Sequence, residues 1–537
     1  MAKNSEIRSF LNEPDHFLPE SLGGLVAATP SLRWDSRGFL HHKNSAVDKN
    51  SQPAVAVISG GGSGHEPLHA GFIGEGMLYA AVPGLMFTSP NAVQITEATR
   101  AADNGRGVVH IVKNYTGDVM NFHVAREHCQ DIHTEFVLVD DDVATNTQDE
   151  DDGPGRRGTA ATIFVEKVAG AAAWMGKNIS EVSEVARWVA QNSRSMAAAM
   201  SPGHAPTTGN STFDLPSGHM EVGVGIHGER GTDTQPATDA HTISANLLNA
   251  ILEDLHLQPQ EEVALLINGL GGTTSLELHL VFGQCLQLLE KQNIKVRRGL
   301  VGNFVTSVNM AGLSITLTRV TEEILELFDA PTTAPAWPQT IAHDPHYEVA
   351  KPEFGLEQPT QGVKNIPYTR FTQRVVEHIE ELTDLDRQAG DGDFGHNMAA
   401  ALRDLSLPLH GSDSDVAEFL SRRFLVRAGG TSGAVFGTLF HHLAQGSLTD
   451  ACQAVQDLGG AKKGDRTVVD ALQPAAEAEA AGKSAAEIIA ASQKGAESTA
   501  LLQAKKGRAS YLGKRSQGII DPGALVVSWL VEALYQH

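Results

Sequence analysis

Four short apolar runs in the first three hundred residues each stop at a loop rich in glycine or acid, and this alternation restricts the fold most. Residues 55–59 run into Gly60-Gly61-Gly62-Ser63-Gly64-His65. Residues 107–112 stop at Lys113-Asn114-Tyr115-Thr116-Gly117-Asp118. Residues 136–139 stop at Asp140-Asp141-Asp142, and residues 262–267 stop at Asn268-Gly269-Leu270-Gly271-Gly272. Runs this apolar suit strands buried on both faces, which need helices between them. In such α/β folds a ligand sits beyond the C-terminal ends of the strands. The polar loops are therefore the first places to look for chemistry.

The chain has 537 residues, and single cores stop growing at roughly 250–300, so more than one domain is expected. Its net charge of −23 argues against nucleic acid or an anionic membrane as the main partner, although a local cluster can still hold an anion. Cys129, Cys285 and Cys452 are far apart and give neither a disulfide framework nor a metal spacing. They fit a reducing cytoplasm. No apolar run reaches the length of a membrane span, and the first residues lack the apolar core of a signal peptide.

Between 331 and 365 the pattern breaks. Pro331, Pro335, Pro338, Pro345, Pro352 and Pro359 interrupt any regular element, which reads as a stiffened linker. Beyond it, 371–385 carries apolar residues at helical spacing and 471–504 is rich in Ala, Glu, Gln and Lys. The expected organisation is an α/β domain over 1–330, a linker over 331–365 and an all-helical domain over 366–537.

Two histidines stand out because glycines flank them. His65 follows the first glycine run, and His227 lies in Gly223-Val224-Gly225-Ile226-His227-Gly228-Glu229-Arg230-Gly231. An imidazole between glycines has little cover, so a small molecule can approach it closely. Taken singly, each run is equally a tight turn. Two in one chain suggest a pocket in which imidazoles do chemistry.

The helical domain has an acidic cluster of its own. Asp386, Asp391 and Asp393 lie around Gly390 and Gly392, which let the backbone turn sharply enough to bring the carboxylates together. Three carboxylates at one point repel without a cation, and hard oxygen donors without His or Cys suit Mg²⁺. A calcium loop would need a Glu where Asn397 stands. Downstream, Arg427-Ala428-Gly429-Gly430-Thr431-Ser432-Gly433 offers backbone N–H groups at the start of a helix that continues through Phe436, a natural anion cradle. Gly459-Gly460 and Gly464-Asp465-Arg466-Thr467 suit a second wall, and Arg508 suits a phosphate clamp. No Walker-type loop and no protein-kinase motif set occurs.

Together these segments resemble the dihydroxyacetone kinase family. The stretches from Ser59 to Pro67, from Lys113 to Asp118 and from Gly225 to Glu229 look like its substrate domain. Asp386 to Asp393, the segment around Ser432, and Gly507-Arg508-Ala509-Ser510 through Asp521-Pro522-Gly523 look like its nucleotide domain. The resemblance spans nearly the whole chain, in order. It implies two α/β subdomains followed by an all-helical barrel, and a homodimer. It implies ATP phosphates held through two Mg²⁺ ions by Asp386, Asp391 and Asp393. It implies that His227 holds a ketone as a hemiaminal, with Gly62, Ser63, Gly64, His65, Lys113 and Asp118 around the bound sugar. The nucleotide positions that follow are Phe394, Gly395, His396, Asn397, Thr431, Ser432, Gly460, Arg508, Asp521 and Gly523.

The residue types make chemical sense on that basis. A ketone accepts an imidazole nucleophile and an alcohol such as glycerol does not, so covalent capture discriminates by reactivity. Phosphoryl transfer then needs charge neutralisation and a base for the attacking hydroxyl. Asp118 and His65 both qualify. Arg230 stands where relatives are expected to carry proline, and Phe394 either stacks on adenine or packs. The segment 511–516 is similar to relatives recharged by a phospho-carrier, but the fused arrangement favours ATP as donor. The expected activity is phosphorylation of dihydroxyacetone. Erythrulose as substrate and cyclisation of FAD by the nucleotide domain are the alternatives. A non-catalytic co-regulator has no need of the acidic cluster.

Overall fold

The structure is a computed structural model that describes residues 9–145, 155–350, 352, 354–390, 392–506, 510 and 517–536. It divides into two compact units, Met1–Val349 and Ala350–His537.

The first unit is built on two sheets. The first contains β1 (Leu32–Asp35), β2 (Phe39–His42), β3 (Ala56–Ser63), β4 (Ala80–Met86), β5 (Val108–Lys113) and β6 (Thr134–Val139) in the order β1-β2-β4-β3-β5-β6. Its central strands β4, β3, β5 and β6 are parallel, and β1 and β2 add an antiparallel edge. Successive side chains of a strand face opposite ways. Ala56 and Ile58 therefore meet helices α2 (Ala92–Ala102) and α3 (Thr116–Glu127) on one face, while Val55 and Val57 join α4 (Thr162–Trp174) and α5 (Ile179–Gln191) on the other. A short helix α1 (Phe17–Ala28) precedes the sheet.

The second sheet contains β7 (Ser193–Ser201), β8 (His219–Val222), β9 (Asp233–Pro236), β10 (Glu262–Gly269), β11 (Lys295–Gly302), β12 (Ala311–Arg319) and β13 (Ala342–His343), ordered β13-β11-β10-β12-β7-β8-β9. Only β10 and β11 pair in parallel. Helices α6 (Ala240–Leu255) and α7 (Ser275–Lys291) cover one face. The other face, with α8 (Glu322–Asp329), shares a core with the first sheet. Helix α4 lies in that shared core and is buried from Thr162 to Ala173, Glu166 and Lys167 included. A helix buried all round is normally apolar, so these two charged side chains require an explanation.

The sequence placed Gly60 to His65 in a loop. Instead β3 continues through Gly60, Gly61 and Gly62 to Ser63. The strand runs on because these glycines lie against β4: a Cβ at Gly60 would stand 2.7 Å from the Val82 carbonyl oxygen. The early part of the proline-rich stretch belongs to the first unit's fold. Ala334 and Trp337 are buried, the Thr333 and Ala336 N–H groups donate to Glu75 and Gly71, and β13 pairs with β11.

The second unit is helical apart from a two-residue ladder between β14 (Lys364–Asn365) and β15 (Leu409–His410). Its described helices are α9 (Ile366–Glu377), α10 (Ile379–Ala389), α11 (Phe394–Leu402), α12 (Asp413–Arg427), α13 (Gly430–Gln445), α14 (Leu448–Gly459), α15 (Val469–Ala480), α16 (Ala485–Ser498) and α17 (Pro522–Tyr535). From α11 to α17 each helix packs on the next, and α9 touches both α17 and α11, so the helices close a ring around an apolar core. The single helical pattern expected over 371–385 is two helices that meet at His378, and 471–504 is interrupted by a turn at Gly482.

Candidate functional site

In the first sheet the chain leaves β3 toward β4 on one side and returns past it to β5 on the other. The C-terminal ends of β3 and β5 therefore flank a topological switch point, where a crevice opens. His65 follows β3, Lys113 is the last residue of β5, and Asp118 sits in the first turn of α3. All three are buried. Glycine at 61 makes room for Lys113, since a Cβ there would lie 2.1 Å from its Nζ. Glycine at 62 makes room for the loop after β4, with the Thr88 nitrogen 2.7 Å from a Cβ. The Ser63 hydroxyl donates to the Gly84 carbonyl at 2.7 Å, and the Gly64 N–H donates to Glu66 at 2.9 Å. Both polar groups therefore serve the loop's own structure.

The second sheet supplies His227 from the turn between β8 and β9. Gly223 and Gly228 hold φ of +77° and +78°, values that L side chains rarely adopt. Glu229 folds back under the turn. Its Oε2 accepts the His227 backbone N–H at 3.0 Å and its Oε1 stands 3.2 Å from Nδ1. Burial alone would raise the Glu229 carboxyl, but the hydrogen bond and charge of His227 outweigh it and hold it below its ordinary value. In the neutral ring, Glu229 accepting from Nδ1–H leaves the lone pair on Nε2. Arg157 anchors the turn by donating to the Gly223 carbonyl and to Asp142, each at 2.8 Å. Arg230 lies outside, with Nε 3.7 Å from the buried Glu221, and so braces the rim.

The His227 ring meets Tyr115 edge-on at 4.3 Å between centroids, His65 at 4.7 Å and Phe87 at 6.0 Å. The His65 Nδ1 lies 2.8 Å from the Thr306 carbonyl oxygen, which requires the proton on Nδ1. Burial, then the charges of His227 and Lys113, hold His65 well below its ordinary pKa, so it is neutral. Its Nε2 is buried and has no hydrogen-bond partner among the described residues. The same holds for both carboxylate oxygens of Asp118 and for the Tyr115 hydroxyl. Each such group costs about 1–3 kcal/mol while unpaired. A polar ligand recovers that energy.

Lys113 is wholly buried, and its Nζ lies 2.9 Å from His69 Nε2, 3.4 Å from the Gly60 carbonyl and 3.6 Å from Asp118 Oδ2. His69 Nδ1 in turn lies 2.5 Å from Glu166 Oε1 on α4. Burial pushes Glu166 up to about 8 and, with the charges of Lys113 and His65, pushes His69 well down.

In the second unit, Asp386 projects from the last turn of α10, and its Oδ2 accepts the Phe394 N–H at 3.1 Å. Gly390 is required beside it, because a Cβ would lie 2.4 Å from Asp386 Oδ1. Asp393 stands at the N-terminal boundary of α11 without a capping hydrogen bond from its side chain. Asp521 caps α17, accepting the Ala524 N–H at 2.8 Å, and Gly523 lies 3.7 Å from Phe394 when given a Cβ. Burial, reinforced by Asp470 and Asp386, pushes the Asp521 carboxyl up to about 6. Carboxylate oxygens without His or Cys are the donor type that suits a hard divalent cation such as Mg²⁺. Among the described residues no three His, Cys, Asp or Glu side chains form a metal-binding group. Asp391, Arg508 and the segment 511–516 lie outside the described residues.

Asn397 reaches the start of α13, where its Oδ1 accepts the Gly429 N–H at 3.1 Å. Gly430 and Thr431 are exposed there and Ser432 is buried. His396 is exposed. Two glycines and one ring have local explanations. Gly395 lets α11 approach Thr383, whose Oγ1 would stand 2.0 Å from a Cβ. Gly460 closes α14 with φ +60°. The Phe394 ring is buried, 6.1 Å from Phe436, so it packs.

Tyr115, Glu229, His69, Glu166, Arg157 and Phe87 were not assigned roles from sequence. Tyr115 lies between Lys113 and Asp118, and Glu229 two residues after His227, so sequence proximity already points to both. His69 and Glu166 lie 97 positions apart, and no spacing rule pairs them.

A Dak1 domain matches residues 23–336 and a DAK2 domain matches residues 388–536. The chain is 34% identical over 567 residues to the triokinase/FMN cyclase of Homo sapiens, covering 96% of this chain and 97% of that protein. It is 33% identical over 574 residues to the L-erythrulose 1-kinase of Mycolicibacterium smegmatis, covering 98% and 99%. The crystal structure of the C. freundii dihydroxyacetone kinase in complex with AMP-PNP and Mg²⁺ superposes with a TM-score of 0.64 at 30% identity, covering 98% of this chain and 99% of that one.

Proposed function

The chain belongs to the dihydroxyacetone kinase family, and from that membership we propose that His227 captures the ketone of a short sugar as a hemiaminal while ATP phosphorylates a terminal hydroxyl. The chain is an ATP-dependent kinase of short ketoses, and Mg²⁺ accompanies the nucleotide. Dihydroxyacetone is the proposed substrate and dihydroxyacetone phosphate the product.

One observation carries this assignment. Against the His227 ring, His65 Nε2 and the Tyr115 hydroxyl are buried with no hydrogen-bond partner among the described residues, and both oxygens of the buried Asp118, an ion-pair partner of Lys113, likewise accept no hydrogen bond. A small polyhydroxy ketone supplies hydroxyls for all of them. In the capture step the Nε2 lone pair of His227 forms a bond to the carbonyl carbon. The Nδ1 proton leaves through Glu229 and one proton arrives at the carbonyl oxygen, so no atom is lost. The Tyr115 hydroxyl is a donor here, since burial raises its pKa well above the ordinary value. Asp118 and His65 are the proposed bases for the attacking hydroxyl.

In the second unit, Asp386, Asp391 and Asp393 are proposed to hold two Mg²⁺ ions. When bound, Mg²⁺ neutralises the phosphate oxygens that carry charge during transfer. The N-terminus of α13 at Gly430, Thr431 and Ser432, with Arg508, is proposed to face the phosphates. His396, Asn397, Gly460, Asp521 and Gly523 are proposed to line the remainder of the nucleotide site, with the Phe394 ring behind them. We further propose a homodimer in the cytoplasm. Among the described residues no helix is long and apolar enough to cross a membrane.

The test is incubation of purified protein with ATP, Mg²⁺ and a panel of trioses and tetroses. Dihydroxyacetone is expected to give the highest kcat/KM, with erythrulose turned over more slowly. The absence of a phosphorylated product from any ketose would contradict the assignment. A second activity is suggested by the full-length similarity to a protein named triokinase/FMN cyclase. Release of a cyclic flavin phosphate from FAD alone would reveal it.

A further inference from the structure

The buried pair His69–Glu166 has no part in capturing the ketone, yet it reaches the capture site through Lys113. The wholly buried Lys113 Nζ hydrogen-bonds to His69 Nε2 at 2.9 Å and to the Gly60 carbonyl at 3.4 Å, while Asp118 Oδ2 stands 3.6 Å away as an ion-pair partner beyond hydrogen-bond distance. The ammonium lies closer to the neutral imidazole than to the carboxylate. That placement depends on the tautomer of His69. Nε2 accepts from Lys113 only when the ring proton is on Nδ1, and Nδ1 faces Glu166 Oε1 at 2.5 Å. Glu166 Oε1 accepts from Nδ1–H whether the carboxyl is ionised or carries a proton on Oε2, which has no hydrogen-bond partner among the described residues. It therefore fixes the tautomer, the tautomer offers a lone pair, and the lone pair draws the ammonium away from Asp118. This arrangement also explains a glutamate in the middle of a helix buried on every side.

We propose that His69 and Glu166 are positioning residues for phosphoryl transfer: by holding the Lys113 ammonium off Asp118, they keep that carboxylate a competent base for the substrate hydroxyl. The inference rests on the assignment of Asp118 as a base. In the step concerned, the substrate O–H bond breaks and its proton passes to Asp118. The oxygen's electron pair forms the new bond to the γ-phosphorus, and the bond to ADP breaks with its pair on ADP. An ammonium relaxed fully onto Asp118 lowers the basicity of that carboxylate, and a weaker base gives a slower transfer. The titratable groups around Lys113 are His65 beyond β3, His69 on the following loop, Asp118 on α3 and Glu166 on α4, with His227 across the crevice.

The test compares His69→Leu, which removes the acceptor, with His69→Gln, whose side-chain oxygen can stand where Nε2 stood. Each full-length variant is checked for its folded circular-dichroism spectrum and for the ketose adduct by intact mass, and kcat is followed against pH with saturating ATP and Mg²⁺. His69→Leu is expected to keep the adduct, to lose about tenfold or more of kcat within the roughly 10²–10⁴-fold that a general base supplies, and to move the acid limb of its pH profile to lower pH. His69→Gln is expected to restore much of the rate and the position of that limb. A rate loss with the limb unmoved, an unchanged rate, or loss of the adduct in His69→Leu alone would overturn the proposal. Should His69→Leu not fold, the proposal stands or falls on His69→Gln, whose limb must match the parent. If the parent itself forms no adduct, the capture assignment fails instead, which is a separate result.

Discussion

At the scale of single residues, the first unit concentrates cost in a few buried polar groups. Glu166 is the clearest. Its carboxyl is held near 8 by burial, against an ordinary value of 4.5. Between those values the folded chain binds a proton that the unfolded chain has released. By linkage this contribution to stability falls as pH rises from 4.5 and levels out above 8. Glu166→Gln removes the titrating group. Its melting temperature is therefore expected to decline less than the parent's between pH 5 and pH 8, and a parallel decline would contradict the burial assigned to this carboxyl. His65 and His227 were identifiable from sequence because glycines isolate them. Tyr115 was not given a role, because nothing local shows that its hydroxyl is enclosed and its ring is turned edge-on to His227. His69 was invisible for a different reason: its partners come from β5 and α4, far away in the chain.

At the scale of elements, the turn between β8 and β9 does the most. Its glycines are matched to fixed neighbours as well as to backbone angles. A Cβ at Gly225 would lie 2.0 Å from Glu229 Oε2 and 2.6 Å from Arg157 Nη1. Gly225→Ala is thus expected to displace Glu229 from Nδ1, lowering the yield of ketose adduct about tenfold or more while the protein stays folded, since clashes of this kind cost roughly 1–3 kcal/mol. An undiminished adduct would show that Glu229 does not orient the ring. The four apolar runs read from sequence are strands, at β3, β5, β6 and β10. Shorter strands escaped notice because they lack a continuous apolar run. β7 is Ser-Arg-Ser-Met-Ala-Ala-Ala-Met-Ser, and β9 is mostly polar at the sheet edge. Glycine is a poor strand former in isolation, so the run after Ser59 reads locally as a loop, whereas pairing with β4 makes it strand. Helices were easier: α13 starts within the glycine segment from which a helix start was expected, because that signal is local.

At the scale of the whole molecule, two units carry two tasks. The residues proposed for ketose capture all belong to the first unit, while the carboxylates proposed for Mg²⁺ belong to the second. Asp386→Ala is accordingly expected to reduce phosphorylation below detection and to leave the ketose adduct on His227 in full. Loss of both together would mean that the tasks are not separable. The division into an α/β part and a helical part was legible in composition and periodicity, because it depends on patterns repeated over many residues. The closing of the helical ring was not, since α9 and α17 meet only after the whole unit has folded.

The central claim is that His227 Nε2 bonds to the carbonyl carbon of a short ketose. Intact-protein mass spectrometry of the parent and of His227→Ala, each equilibrated with dihydroxyacetone, tests it most directly. The parent is expected to gain the mass of one whole ketose with no water lost, and His227→Ala to gain nothing. An equal increment on both proteins, or an increment short by one water as a lysine imine would give, would contradict the account.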